Sequence, residues 1–456
     1  MKPTTMFNKS IATASLLFVS LSSMSYGQGA LAPPSTPNHM TGPSAALTAG
    51  GLPQPTMKTL QQIEPRVDVM TLASEANAHY VIARPGSYYL SSNIAASRDI
   101  AILVKASSVT VDLNGFEIRR FAGTGGTGIR VANGAYDVAV RNGRVSRFGN
   151  GVNAFGIFTE KTKGCVLENL QVTGCTGHGL MVGDGGVVRN CTSNTNGGHG
   201  IFADNGSQVI SSVACGNAGS PGAGAIWVRN DCTLSHCTAR GNTTSGIIAG
   251  LGCNLFLCTA SENEGTYGIS TEGGCTVKQC TADRNIGAGG FSRGISVGEG
   301  CTVMECTARE NGTSNATNSS AQGVGLYVAG RSLVKDCTLE GNNGDALRCE
   351  SDCRIEQNTC IDSGIYGAGI RANGDNNRID GNHCTRNRYG IRYEGQSNLV
   401  IRNSAHGNGL ALESGNFSGD GAANAIGPFI YMNDISTAGD DRPWGNFTKT
   451  PTIGIR

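Results

Sequence analysis

The chain carries little charge for its length. Asp, Glu, Lys and Arg make up 15% of its 456 residues, against about a quarter in ordinary soluble domains. The 35 basic and 34 acidic residues nearly cancel, which leaves no net basic character to draw nucleic acid. Aromatics are scarce at 6%, and tryptophan occurs twice, at Trp227 and Trp444. Proline is limited to 13 residues while glycine reaches 67. Glycine shows no strict three-residue period, which excludes collagen. Few charges with many Val and Ile argue against full-length disorder. The apolar residues, at 39%, are enough for a core.

Residues 1–27 read as a signal peptide. Lys2 and Lys9 are the basic start, Ile11 to Leu21 the apolar run, and Ser25-Tyr-Gly27 a small-residue cleavage site. The run is too short to span a bilayer, and no later segment is a candidate. The expectation is an exported, secreted protein without a membrane span. Residues 28–55, rich in Pro, Gly, Ser and Ala, read as a flexible linker. Met57 to Arg66 could start a capped domain with a short helix, and residues 416–456 read as a tail.

An internal repeat dominates what lies between. A small residue followed by an apolar one, usually Ile or Leu, recurs at Gly128, Gly156, Gly179, Gly200, Ala225, Gly246, Gly268, Gly294, Gly325, Ala346, Gly369, Gly390 and Gly409. The spacings run from 19 to 31, most often 21. Between these markers stand Cys232-Thr-Leu-Ser-His-Cys-Thr-Ala-Arg-Gly-Asn242 and close copies beginning at Cys253, Cys275 and Cys301. Each unit holds three short alternating stretches broken by tight turns. Helix-pair repeats are longer, and leucine-rich repeats need Leu at fixed spacing. The pattern predicts an all-β, right-handed, single-stranded parallel β-helix of about 13 or more coils, over residues 56–415.

All 17 cysteines lie between Cys165 and Cys384. Most fall into columns: Cys165, Cys232, Cys253, Cys275, Cys301 and Cys353 in one, and Cys191, Cys237, Cys258, Cys280, Cys306 and Cys337 in another. In-register stacking aims neighbouring Cβ vectors the same way. It predicts ladders of buried thiols, with a few inter-coil disulfides as the alternative. C-x4-C on a strand is not a usual zinc spacing. A third column is Asn196, Asn217, Asn242, Asn263, Asn285, Asn311, Asn342 and Asn387, whose amides can bond along the axis. The sequons at Asn242 and Asn311 read as parts of that ladder.

The repeat, the leader and the Asn ladder resemble the pectate-lyase-like right-handed β-helix superfamily. More narrowly, the chain resembles exported bacterial β-helix proteins without an established activity. That likeness rests on Thr56 to Arg66, Pro85-Gly-Ser-Tyr-Tyr-Leu90, Val109-Thr-Val-Asp-Leu-Asn-Gly-Phe116, Asn376-Asn-Arg-Ile-Asp-Gly-Asn382 and Pro443-Trp-Gly-Asn-Phe447. It implies the fold, whereas function has to be argued from the site. The superfamily includes lyases, hydrolases, epimerases and carbohydrate-binding proteins. It implies calcium as a conceivable cofactor, although no acidic ligand cluster is identifiable. Gly177-His-Gly179 and Gly198-His-Gly200 lack the carboxylate motifs that precede Gly-His-Gly in the pectinase-like hydrolases.

In such enzymes substrate lies along one exposed sheet, taken here as the sheet that follows the small residue. Alternation places two patches on its outer face. The first holds His178, His199, Phe202, Asp204, Trp227 and Arg229, a set suited to stacking on sugar rings. The second stacks Arg348, Arg371 and Arg392, with Glu350, Glu394 and Tyr389 nearby; Tyr267 and Arg293 lie between the patches. Like charges on facing positions repel, so the arginines predict either a salt-bridge lattice or an anion site for uronate or sulfate. In the second case Arg371, Arg348 and Tyr389 are the candidate catalytic groups for elimination. The expectation is an exported carbohydrate-active protein for anionic polysaccharide, with lyase-type elimination the leading reaction; a non-catalytic glycan-binding surface protein is the competing reading and a ligand-free rod the third. Hydrolysis ranks lower, because Arg371 separates Glu350 from Glu394.

Overall fold

The computed structural model describes residues 66–448 apart from 122–124, 150–153, 220–222, 288–291, 313–322, 410–414, 420–422 and 432–443. The chain divides between Thr59 and Leu60, and every described residue belongs to the second unit. The expected leader and linker and nearly all of the Met57 segment lie outside the described residues.

Among the described residues the regular structure is β-strand, apart from one 3-10 turn at Val69–Thr71. Fifteen strands, from Ala78–Ile82 to Phe417–Gly419, stack as one parallel ladder. Twelve of them contain or directly follow a repeated small residue; Ala78–Ile82 and Ile100–Val104 precede Gly128, and Phe417–Gly419 starts eight residues beyond Gly409. Their inward side chains align as Ile226, Ile247, Ile269, Ile295, Leu326, Leu347, Ile370 and Ile391, each paired with the next. All eight are fully buried. Val131, Thr159, Val182, Ala203, Val228, Ala249, Thr271, Val297 and Val328, the inner column expected two residues on, are buried too. β-Branched and small side chains suit so narrow a stack.

Each turn contributes two further short strands, such as Thr233–Ser235 and Thr238–Arg240. These build a second and a third parallel ladder. Val138–Ser146 and Val166–Thr173 run through the corner between them, which joins the two into one 30-stranded sheet. Pairing continues past residue 415: Ala425–Ile426 stacks on Leu399–Ile401, and Asn446–Thr448 on Ser404–His406.

The corners explain the cysteines and asparagines. A residue in the left-handed region, such as Asp231, His236 or Gly241, turns the chain. The next residue (Cys232, Cys237 and Asn242 in that coil) points inward. Its backbone N–H donates to the equivalent side chain one coil on. Asn242 N–H and Nδ2 both donate to Asn263 Oδ1, at 3.2 and 2.8 Å, and Asn263 repeats this on Asn285. Cysteine does the same: Cys232 N–H donates to Cys253 Sγ at 3.4 Å, and that thiol donates to Arg229 O at 3.0 Å. A left-handed L-residue costs on the order of 1 kcal/mol. The stacked bonds that follow each one offset that cost.

Because the role is shared, residue types interchange along a column. Ser332 stands between Cys301 and Cys353, and the column goes on as Asn377 and Asn398. Ser212 follows Cys191, and Asn358, Asn382, Asn403 and Asn446 follow Cys337. Ser363 takes the place before Asn387 in the third column. The first and second of these continuations end in Asn ladders that the repeat pattern did not reveal. All 17 cysteines are free, and all but Cys215 are buried. Asn242 and Asn311, the sequon positions, are fully buried in their ladder. The ladder also sets the small-residue rule. A Cβ on Gly268 would sit 2.5 Å from Asn285 Nδ2 and 2.6 Å from Gly294 O.

Candidate functional site

The outer face of the first ladder carries a single unbroken column. Starting from Phe158 it runs Met181, Phe202, Trp227, Ile248, Ser270, Ser296, Tyr327, Arg348, Arg371 and Arg392. The sequence-derived alternation is thereby realised residue by residue. Trp227 and Arg348 stand five strand spacings apart, about 24 Å.

At one end the aromatic rings pack on each other. Phe158, Met181 and Phe202 form a buried cluster with Phe155 and Trp227 against it. His178 stacks on Phe155 and on His199, the imidazole centroids 4.6 Å apart and nearly parallel. Trp227 meets His199 edge-on at 4.8 Å. Arg229 lies 5.6 Å over the Phe202 ring and 3.5 Å from Asp204. This corrects part of the expected patch. Phe202 and His199 project from the sheet but are only 5% and 8% exposed, because the neighbouring turns cover them with Trp227, Arg229 and His178. Trp227 is half-buried, and Arg229 is exposed.

The two histidines have defined tautomers. His178 Nδ1 accepts the His199 backbone N–H at 2.8 Å, so the neutral ring carries its proton on Nε2. His199 Nδ1 lies 2.8 Å from Gly224 O and donates to it, so Nε2 keeps its lone pair. Burial, helped by His199, pushes the His178 pKa down to about 4. Burial lowers that of His199 as well. Two neutral imidazoles, one a donor and one an acceptor, therefore stand beside an indole and a guanidinium.

At the other end the three arginines stack as expected; Glu394 is a partner as foreseen, and the buried Asp345 is one that was not. Asp345, completely buried, holds two of them: Arg348 Nε at 2.8 Å and Arg371 Nε at 2.9 Å. Glu394 holds Arg371 Nη1 and Arg392 Nε, both at 2.7 Å. Glu350 accepts from Asn373 Nδ2 at 3.4 Å. Arg371 is 6% exposed and clamped between two carboxylates. Burial opposes its charge, yet Asp345 and Glu394 hold its pKa above the usual arginine value. A group so placed is a structural cation and not a proton acceptor. Tyr389 lies under the Arg388 and Arg392 guanidiniums, at 5.4 and 5.1 Å. Between the two ends, Arg293 covers the Tyr327 ring at 3.8 Å and donates to Ser296 Oγ. Tyr267 pairs in register with Arg293.

In the sequence Asp345 shows only as the residue before the small Ala346 of the repeat, and nothing there says that it is buried. Among the described residues no three His, Cys, Asp or Glu side chains converge as a metal-ligand set. No helix among them is long and apolar enough to cross a membrane.

Residues 86–226 match the family described as right handed beta helix region. Residues 293–436 match the family described as periplasmic copper-binding protein (NosD). In that stretch His383 and His406 approach to 5.1 Å between ring centroids, and among the described residues no third ligand joins them to make a copper centre. No curated protein matches the chain. Among solved structures it is similar to the A-module of the mannuronan C-5 epimerase AlgE6 of Azotobacter vinelandii, at 15% identity over 76% of this chain and 92% of that one, with a TM-score of 0.44. It is also similar to the periplasmic alginate epimerase AlgG, at 12% identity over 79% and 82%, TM-score 0.39. A third is the catalytic unit of an α-1,3-glucanase of Streptomyces thermodiastaticus, at 13% identity over 79% and 68%, TM-score 0.28. These likenesses concern the fold. With parallel ladders running unbroken through both matched stretches, the chain belongs to the right-handed parallel β-helix proteins.

Proposed function

We propose that this is an exported carbohydrate-binding protein that lays an acidic polysaccharide along the outer face of the first ladder. The observation that carries the reading is the continuous outward column, with Trp227 and Arg229 at one end and Arg348 and Arg392 at the other. An indole offers a platform to a sugar ring. Guanidinium forks match carboxylates. A chain of several sugar units is long enough to touch both ends. Tyr267, Arg293, Glu350 and Tyr389 are the further contacts in this reading. Export is supported by the leader-like N-terminus and by the match to a family described as periplasmic.

Binding is favoured over elimination because, of the expected catalytic groups, Arg371 is doubly paired and buried, Arg348 is paired to Asp345, and Tyr389 lies under two guanidiniums. One observation supports a second, catalytic reading. His199 Nε2 keeps a lone pair that can take a proton, and the neutral His178 ring offers Nε2–H as a hydrogen-bond donor. In β-elimination, a base takes the proton α to a carboxylate and the departing oxygen takes its proton from water, with the His178 N–H hydrogen-bonding to it. The test is to incubate the protein with pectate, alginate and a neutral glucan. Retention on the acidic polymers without new ultraviolet absorbance supports the binder. Unsaturated product that disappears in His199→Gln supports the lyase. Retention on none of them refutes both.

A further inference from the structure

The second ladder carries a separate recessed surface. Arg354 and Arg378 stand in register on adjacent strands, and Arg402 turns the corner of the next coil. Their guanidiniums, with Glu356 and Asp380, line a recess of about 480 Å³. Arg378 also borders an adjoining apolar recess of about 420 Å³, lined by Leu399, Ile401, Ile426 and Trp444. Trp444 is 53% exposed, and the Arg402 guanidinium lies 5.2 Å over its ring.

Three guanidiniums face two carboxylates here. Asp380 takes Arg378 Nη2 and Arg402 Nε, both at 2.7 Å. Glu356 takes Arg354 Nη2 at 2.7 Å. One positive charge is left over. Arg378 Nε is buried, lies 4.0 Å from Glu356 Oε1, and has no hydrogen-bond partner. Buried unmatched donors are rare and call for an explanation. The residue that borders both recesses is thus the one with an unused donor.

We propose that this surface is a second glycan site, specific for uronate-bearing oligosaccharide and independent of the first ladder. The arginine recess takes the carboxylate of one sugar on the exposed edges of the Arg354, Arg378 and Arg402 guanidiniums. The indole takes the ring face of the adjoining sugar. Neither recess alone would accommodate both features of such a ligand.

The two tryptophans allow a direct test, since Trp227 reports on the first ladder and Trp444 on the second. In Trp227→Phe protein, titration with tetragalacturonate or tetramannuronate should give a saturable change in Trp444 emission. Arg378→Gln and Arg402→Gln should each weaken it at least tenfold with the far-ultraviolet dichroism unchanged, and neutral maltotetraose should have no effect. Emission unmoved by both uronates, an equal response to maltotetraose, or undiminished affinity in both folded variants would overturn the proposal. The converse protein, Trp444→Phe, reads the first ladder separately, so failure of one site leaves the other testable.

Discussion

Replacing Arg371 by Ala would leave the completely buried Asp345 with half of its charge partners. Breaking a buried ion pair from one side costs about 3–5 kcal/mol, so the urea midpoint of Arg371→Ala should fall steeply. Arg392 has a third of its side chain exposed. Arg392→Gln should change stability by less than about 1 kcal/mol, yet weaken acidic-glycan binding several-fold. Equal stability losses would mean that the lattice, as drawn, is wrong. His178 gives a pH signature. Its pKa is about 4 in the fold and about 6.5 in the unfolded chain. Between those values the unfolded chain holds a proton that the fold does not, so stability rises with pH through that window. It is lost as pH falls from about 6.5 toward 4. His178→Phe should lose less stability over that range than the parent, as read by denaturant midpoints at several pH values; identical slopes would contradict the buried neutral imidazole. Alternation had placed these residues on the outer face correctly. It could not tell that Phe202, His199 and Arg371 are covered, because cover comes from residues on neighbouring turns.

The corner, a left-handed residue followed by an inward ladder residue, is the unit that the sequence half disclosed. The Asn242, Asn263 and Asn285 column was legible because the same residue type recurs at nearly constant spacing. Its continuation through Ser363, and the change from Cys337 to Asn358, were not. Chemistry and not identity is conserved along the axis: any small side chain that accepts one N–H and donates to one carbonyl serves. The corollary is measurable. Cys253→Ser should cost less than about 1 kcal/mol, since Ser332 already fills that role one column position beyond Cys301. Asn263→Ala removes bonds to Asn242, Asn285 and Ala239 O, and should cost on the order of 3 kcal/mol. Thermal melts of the two variants should separate clearly; similar melts would refute the shared-role account. Gly268→Val should be worse than either, because its Cβ alone overlaps the Asn285 amide and the Gly294 carbonyl.

Taken whole, the molecule stacks its cysteines without joining them. Parallel in-register neighbours aim their Cβ bonds alike, which is poor geometry for a bridge. Thiol titration should find 17 reactive groups in denaturant without reductant and almost none in the native protein apart from Cys215. The overall architecture was readable because the repeat leaves few alternatives. The site was readable only as a direction, since the sheet that bears it follows from the fold while its ligand follows from charges balanced across turns. The reading therefore rests on what the outer face of the first ladder holds. The most direct measurement is the emission of Trp227 in Trp444→Phe protein during titration with a uronate hexasaccharide. A saturable change, weakened at least tenfold in Arg229→Gln and not produced by a neutral glucan hexasaccharide, is the expected result. Emission that never moves, or moves alike with the neutral sugar, would contradict it.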